Sequence, residues 1–253
     1  MSDNTEAKKN DDNIFQLDWG THACLKLLAS FQFTTVLDIG SGAGEHKRLF
    51  SYFDKTTYSV DRVKSADYCG DFMAIEFDKK FDAIWCSHVL EHQRNVGLFL
   101  DKIYDTLNEN GVLAIVVPIH PRERLISGHL TSWSIPLLSY NLIMAGFDCA
   151  HAAVLSTYEL ALIVTKKHAA HSELRAPSAH GADAGHEFND IAPYFPFQAA
   201  QGINISVDGV GAINWGNPVE YMLPELNEGK LPVVINSKNL DTSPTLRPRI
   251  LYP

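Results

Sequence analysis

Val36-Leu37-Asp38-Ile39-Gly40-Ser41-Gly42-Ala43-Gly44 is the stretch that decides the fold. An apolar, β-rich run leads into an acidic residue. Three glycines then stand at alternate positions, and a helical pattern follows at once. This order predicts a buried strand over 34–39 and a helix from about Glu45 to Phe53. Glycine lets the chain turn sharply between them and lets a ligand come close. A strand that ends in a glycine turn and opens a helix makes a pocket for a nucleotide-like ligand, because the first helical turn presents unpaired N–H groups.

Working outward, Ile14 to Phe31 carries apolar residues at mixed helical spacing and predicts one or two helices. Thr57-Tyr58-Ser59-Val60, ending at Asp61, predicts a second strand, with a short one at 67–69 and another at 81–86. Apolar positions at Val96, Phe99, Leu100, Ile103, Tyr104 and Leu107 predict a helix over 96–109, closed by Asn110-Gly111. Val112–Val117 is continuously apolar, as suits a strand buried on both faces of a parallel sheet. A helix over 134–145, with Ser132 or Ser134 as cap, and strands over 147–155 and 160–165 complete the series. Strands alternating with helices imply an α/β, doubly wound, Rossmann-like and mostly parallel sheet of six or seven strands, with ligands at the carboxyl ends.

Composition narrows the function. The formal net charge of −9 and the lack of a dense Lys/Arg run argue against nucleic acid as partner. Cys24, Cys69, Cys86 and Cys149 form no CxxC pair and read as isolated apolar residues in a reducing compartment. The polar start of the chain lacks a signal-peptide core, and no apolar run is long enough to span a membrane, so a cytoplasmic protein is expected. Residues 1–12 read as a disordered N-terminus, 13–166 as the main domain, and 167–190 as a linker. The histidines of that linker (His168, His171, His180 and His186) have no metal-site spacing. Residues 191–253, with Tyr194, Phe195, Phe197, Trp215 and Tyr221, read as an irregular extension that packs on the main domain as a lid, a substrate contact or a homodimer contact.

The GxGxG turn behind an acidic residue resembles the first motif of the class I S-adenosylmethionine-dependent methyltransferases. FDAIWCSHVLEH and LDKIYDTLNENGVLAIVVP extend that resemblance, towards the methyltransferase type 11 subgroup. Asn108-Glu109-Asn110-Gly111 departs from the subgroup at a loop, and the resemblance covers about half of the chain. It implies a seven-stranded sheet with an antiparallel last strand, and S-adenosyl-L-methionine as cofactor. It further implies that Asp38, Gly40, Ser41, Gly42 and Gly44 hold the amino-acid end of the cofactor. Asp61, about twenty positions beyond the first glycine, is placed to accept the ribose hydroxyls. By the same resemblance Asp71 and Phe72 meet the adenine, while Ser87 and His88 pass beneath the methionine part.

A hydroxyl acceptor on a small molecule or saccharide is favoured, because a base accelerates its attack and several histidines are at hand. Candidates are His88, Glu91, His92, His120 and His129, with His92 and His129 preferred. Gly128-His129-Leu130-Thr131-Ser132-Trp133 resembles the substrate-side loop of the subgroup. Cys86-Ser87-His88-Val89 stands where amino-methylating DNA and glutamine enzymes carry an Asn/Asp-Pro-Pro-Tyr motif, which argues against those. Two other readings stay open. His88-Val-Leu-Glu91-His92 matches the HxxEH pattern of zinc hydrolases, in which two histidines one helical turn apart bind metal. A non-catalytic binding module that keeps the cofactor fold is the other. The expectation for the site is no metal ligand.

Overall fold

The computed structural model describes residues 14–119, 125–167, 191–197, 207, 209–217, 221–224 and 232–236. The predicted segment 1–12, the linker from 168 to 190 with its four histidines, and His120 lie outside the described residues.

Ten strands and four α-helices follow in the order β1 (Ile14–Leu17), α1 (Thr21–Ser30), β2 (Thr35–Ile39), α2 (Glu45–Tyr52), β3 (Thr56–Asp61), β4 (Tyr68–Cys69), β5 (Phe81–Ser87), α3 (Val96–Thr106), β6 (Leu107–Pro118), α4 (Ile135–Met144), β7 (Ala153–Ser156), β8 (Glu159–Thr165), β9 (Ala212–Ile213) and β10 (Val233–Asn236). Eight strands form one sheet in the order β4-β3-β2-β5-β6-β8-β7-β9. β4, β3, β2, β5 and β6 run parallel, and β8 is antiparallel to both β6 and β7. The doubly wound, Rossmann-like sheet with an antiparallel last strand is therefore present, and β9 adds an eighth strand at its edge.

Period-two alternation builds a core on each face. Leu37, Ile39, Ile84, Cys86, Leu113 and Ile115 point to the side covered by α3 and α4 through Phe99, Leu100, Ile103, Leu138 and Leu142. Their neighbours Val36, Ala83, Trp85, Ala114 and Val116 point to the side covered by α1 and α2 through Leu25, Leu28, Leu49 and Phe50. Both faces of the central strands are buried, which is why those strands read as unbroken apolar runs.

Four expectations are corrected. Ile14–Leu17 is a strand, paired in parallel with β10, because Phe15 and Leu17 alternate inward over a distant partner. α3 stops at Thr106, since Leu107 already pairs with Phe81. The Asn110-Gly111 turn instead fills a register shift inside β6, clamped by Asn110 N–H to Lys166 O and Lys166 N–H to Gly111 O. β7 begins only at Ala153. Cys69 is exposed, while the other three cysteines are buried. Ser134 is the cap of α4, accepting from Leu137 N–H at 3.4 Å.

Parts of the C-terminal extension pack on the domain. Ile191 and Phe195 join the core over α4, and Trp215, Tyr221 and Val234 join the opposite one. Among the described residues no helix is long and apolar enough to cross a membrane.

Candidate functional site

The carboxyl ends of β2, β3 and β5 bring the glycine turn, Asp61 and the segment after Ser87 together. Gly40 has φ 75°, and its N–H is held by Val60 O at 2.8 Å, so the turn is stitched to β3. A Cβ at Gly40 would collide with the Val89 Cγ2 methyl. Ser41 accepts from Gly44 N–H through its carbonyl at 2.8 Å, and Gly44 opens α2. Asp61 closes the turn by accepting from Gly42 N–H at 2.8 Å and from Val63 N–H at 3.1 Å.

A cavity of ≈ 270 Å³ opens beside this turn, lined by Gly40, Val60, Asp61, Gly70, Asp71, Phe72, Val89, His92 and Phe99 among others. Asp71 caps the 3₁₀ turn Phe72–Ala74 through Met73 N–H at 2.9 Å and meets Arg62 at 3.0 Å. That backbone bond and Arg62 hold its carboxyl below the usual range. Phe72 is mostly buried against Phe99 and Phe77, so it is a wall of the cavity as well as core.

Asp38 lies under the turn, 1% exposed, and its Oδ2 has no hydrogen-bond partner among the described residues. Burial, reinforced by the charge of Asp61, pushes its carboxyl up to about 7. A turn of three left-handed glycines, the first without room for a Cβ, over a buried carboxylate with a bare oxygen suits a ligand that ends in an ammonium and a carboxylate. Such a group matches the cofactor expected from the sequence.

Ser87 and His88 sit on the far side of the turn. His88 has φ 56°, lies tilted against Trp19 at 4.4 Å between ring centres, and its Nδ1 lies 3.3 Å from Ser87 Oγ. Its Nε2 stands 3.9 Å from Glu159, and burial lowers the imidazole to about 4, keeping it neutral. Glu159 opens β8. Because β8 runs antiparallel, that residue falls beside Pro118 at the carboxyl ends of the parallel strands. It accepts from Gly20 N–H at 2.9 and 3.0 Å and is pushed up to about 7 by burial. His46 of α2 donates Nε2–H to Trp19 O at 3.0 Å. Trp19, His46 and Glu159 were not singled out by sequence. A lone acid opening an otherwise apolar strand, in Tyr158-Glu159-Leu160, is the signal that marks Glu159.

His92 and His129 do meet, edge to face, with ring centres 4.9 Å apart. His92 ends a short 3₁₀ turn, Leu90–His92, and its Nδ1–H donates to Gly128 O at 2.8 Å. A carbonyl can only accept, so Nε2 carries the lone pair in neutral His92. The HxxEH reading fails here. His88 lies outside the turn with a left-handed backbone, and the segment makes no α-helix that could set His88 and His92 on one face. His88 faces Trp19 and Glu159, whereas His92 faces His129.

The methyltransferase domain model matches residues 16–151. No curated protein matches the chain. Among solved structures, the chain is similar to the Burkholderia thailandensis 1,6-didemethyltoxoflavin-N1-methyltransferase, with TM-score 0.50, 19% identity, and coverage of 58% of this chain and 79% of that one. It is also similar to the methyltransferase partner of a Haloferax volcanii Trm112 activator, with TM-score 0.49, 17% identity and coverage of 59% and 90%. The N-methyltransferase NodS from Bradyrhizobium japonicum WM9 gives TM-score 0.47, 15% identity and coverage of 58% and 86%.

Proposed function

The chain belongs to the class I S-adenosylmethionine-dependent methyltransferases, and from that premise we propose that it methylates a hydroxyl on a small molecule or saccharide. When bound, S-adenosylmethionine supplies an electrophilic methyl on a sulfonium. The observation that carries the reading is the Gly40–Gly44 turn above the Asp38 carboxylate with its bare Oδ2, opening on a cavity lined by Asp61 and Asp71. In this reading Asp38 pairs with the cofactor ammonium. Asp61 takes the ribose hydroxyls with its remaining lone pairs, and Asp71 and Phe72 hold the adenine. Ser87 and His88 border the methionine part.

His92 lines the same cavity, with His129 beside it. As the acceptor oxygen bonds the methyl carbon and the carbon–sulfur bond breaks, the hydroxyl proton passes to His92 Nε2. Holding the oxygen in line is the larger contribution, since good positioning reaches effective molarities of about 10⁵–10⁸ M. The base adds roughly 10²–10⁴-fold. The similar Burkholderia protein is described with 1,6-didemethyltoxoflavin and S-adenosylhomocysteine bound, which supports a small acceptor.

Calorimetric titration of S-adenosylhomocysteine into wild type and Asp61→Ala tests the cofactor assignment. Micromolar binding by wild type, weakened at least tenfold in a folded variant, is expected. No binding to folded wild type would sink the reading. With an acceptor in hand, His92→Ala and His129→Ala should lower kcat while leaving S-adenosylhomocysteine affinity within about twofold, and full turnover by both would remove the base assignment.

A further inference from the structure

Glu91, His92 and His129 offer three ligand atoms that all lie within 4.8 Å of one another. Glu91 is fully buried, and neither of its carboxylate oxygens has a hydrogen-bond partner among the described residues. An ionised carboxylate in that setting needs a positive partner. His92 Nε2 stands 3.7 Å from its Oε1. That nitrogen is the bare one, because Nδ1–H is committed to Gly128 O at 2.8 Å. Two lone-pair groups therefore face each other across a gap too long for a hydrogen bond, and a third nitrogen-bearing ring closes the side.

The surroundings hold this arrangement in place. The Glu91 carbonyl accepts from Leu130 N–H at 2.7 Å and from Thr131 N–H at 3.3 Å, which locks the 3₁₀ turn to the loop that carries His129. The Gly128 bond fixes the His92 tautomer, as outer hydrogen bonds do for metal-bound imidazoles. An ion held about 2.0–2.2 Å from each ligand would draw the three atoms together by at most roughly 1.5 Å, within reach of small rotations by the exposed His92 and half-buried His129 side chains.

We propose that Glu91, His92 and His129 form a two-histidine, one-carboxylate site for a divalent transition metal ion such as zinc. Three protein ligands leave a coordination position open towards the cavity that His92 lines. An acceptor oxygen taken there would lose its proton to solvent more readily, because a bound cation lowers the pKa of its ligand. With an ion bound the two histidines serve as ligands and the ion supplies the activation, whereas His92 Nε2 acts as the base only in the ion-free chain. The role rests on the methyl-transfer reading, whereas the ion site does not.

The test is zinc titration of the full-length, chelator-stripped protein by calorimetry, beside a cobalt titration followed by visible absorption. One ion per chain is expected in both. Outer-shell partners alone are worth roughly 10–100-fold in affinity, so losing a direct ligand should cost about 100-fold in Glu91→Gln, His92→Ala and His129→Ala. A variant with His168, His171, His180 and His186 all changed to Ala, and His151→Ala, should keep the tight ion. S-adenosylhomocysteine titrated into the same samples should bind as it does to wild type, which separates failure of the ion site from failure of the methyltransferase reading. Should Glu91→Gln fail to fold, the two histidine variants decide alone. Absence of zinc binding, or binding that survives His92→Ala and His129→Ala but is lost with the four-histidine variant, would overturn the proposal.

Discussion

Position 40 carries two separate constraints, a φ of 75° and a missing Cβ that would otherwise strike Val89. Gly42 has only the first, with φ 51° and open space around it. A non-glycine residue held in the left-handed region costs of order 1–3 kcal/mol. Gly42→Ala should therefore lower stability by about 1 kcal/mol, and Gly40→Ala by about 3 kcal/mol with loss of S-adenosylhomocysteine binding. Urea midpoints and calorimetry would check both. Adding Val89→Ala to Gly40→Ala should return part of the stability, because it removes the clash but not the strain, and equal losses in the two single variants would contradict the argument. Glycines, Asp38 and Asp61 were legible in sequence because the turn uses local chemistry. Glu159 and Trp19 were not, since their place depends on an antiparallel strand and a helix entry far apart in the chain.

Elements with their own periodicity were legible, and those that need a distant partner were not. α2, α4 and the central strands follow the apolar pattern within a residue or two. β1 is four residues long and pairs only with β10, more than two hundred positions on, so nothing local marks it. The start of β6 shows the same limit. Helical spacing continues through Leu107, yet Leu107 pairs with Phe81, and Lys166 then pins the bulge from the neighbouring strand end. The Lys166 side chain is 3% exposed. Its Nζ donates to Leu107 O at 3.1 Å, meets Glu109 at 2.9 Å, and lies over the Tyr104 ring at 4.4 Å. Lys166→Met keeps the stem and should cost about 1–2 kcal/mol, mainly from the carbonyl left without a donor. Lys166→Ala also removes packing and should cost more, whereas Glu109→Gln, at an exposed partner, should change stability by less than about 1 kcal/mol. Chemical denaturation of the three variants would give that order, and a Glu109→Gln loss as large as that of Lys166→Ala would contradict it.

At the scale of the whole molecule, the proposed pairing of a ligand ammonium with the buried Asp38 would tie binding to proton release. The Asp38 carboxyl is raised from 3.8 to about 7, burial being the larger cause and Asp61 the smaller. A carboxyl raised in the folded state contributes stability that is fully present below its unfolded pKa. That stability is lost as pH climbs through about 7, where the ligand-free chain must bury a charge that only Lys47 offsets. A ligand ammonium seated on Asp38 reverses this, because it binds the ionised form. At pH 6 binding must expel about one proton from the site, so affinity should rise about fivefold from pH 6 to 7, with at most about a further twofold to come above it. Above about pH 7.5 the amino group of the ligand itself loses much of its charge, α-amino groups titrating near 7.7–8.0, and affinity should fall again. At about one hundred times the dissociation constant a ligand adds about 2.7 kcal/mol, which for a chain of this size is a rise in Tm of roughly 5–10 °C. With the S-adenosylhomocysteine concentration fixed at that multiple for pH 7.5, the rise should be greatest there and smaller at pH 6 and pH 9. In Asp38→Asn the dependence between pH 6 and 7.5 should vanish along with most of the affinity. Comparing pH 6 with 7.5 in one protein at one ligand concentration cancels every group whose protonation is the same bound and free. A Tm rise equal at both values in wild type would therefore mean that Asp38 does not meet the ligand's ammonium.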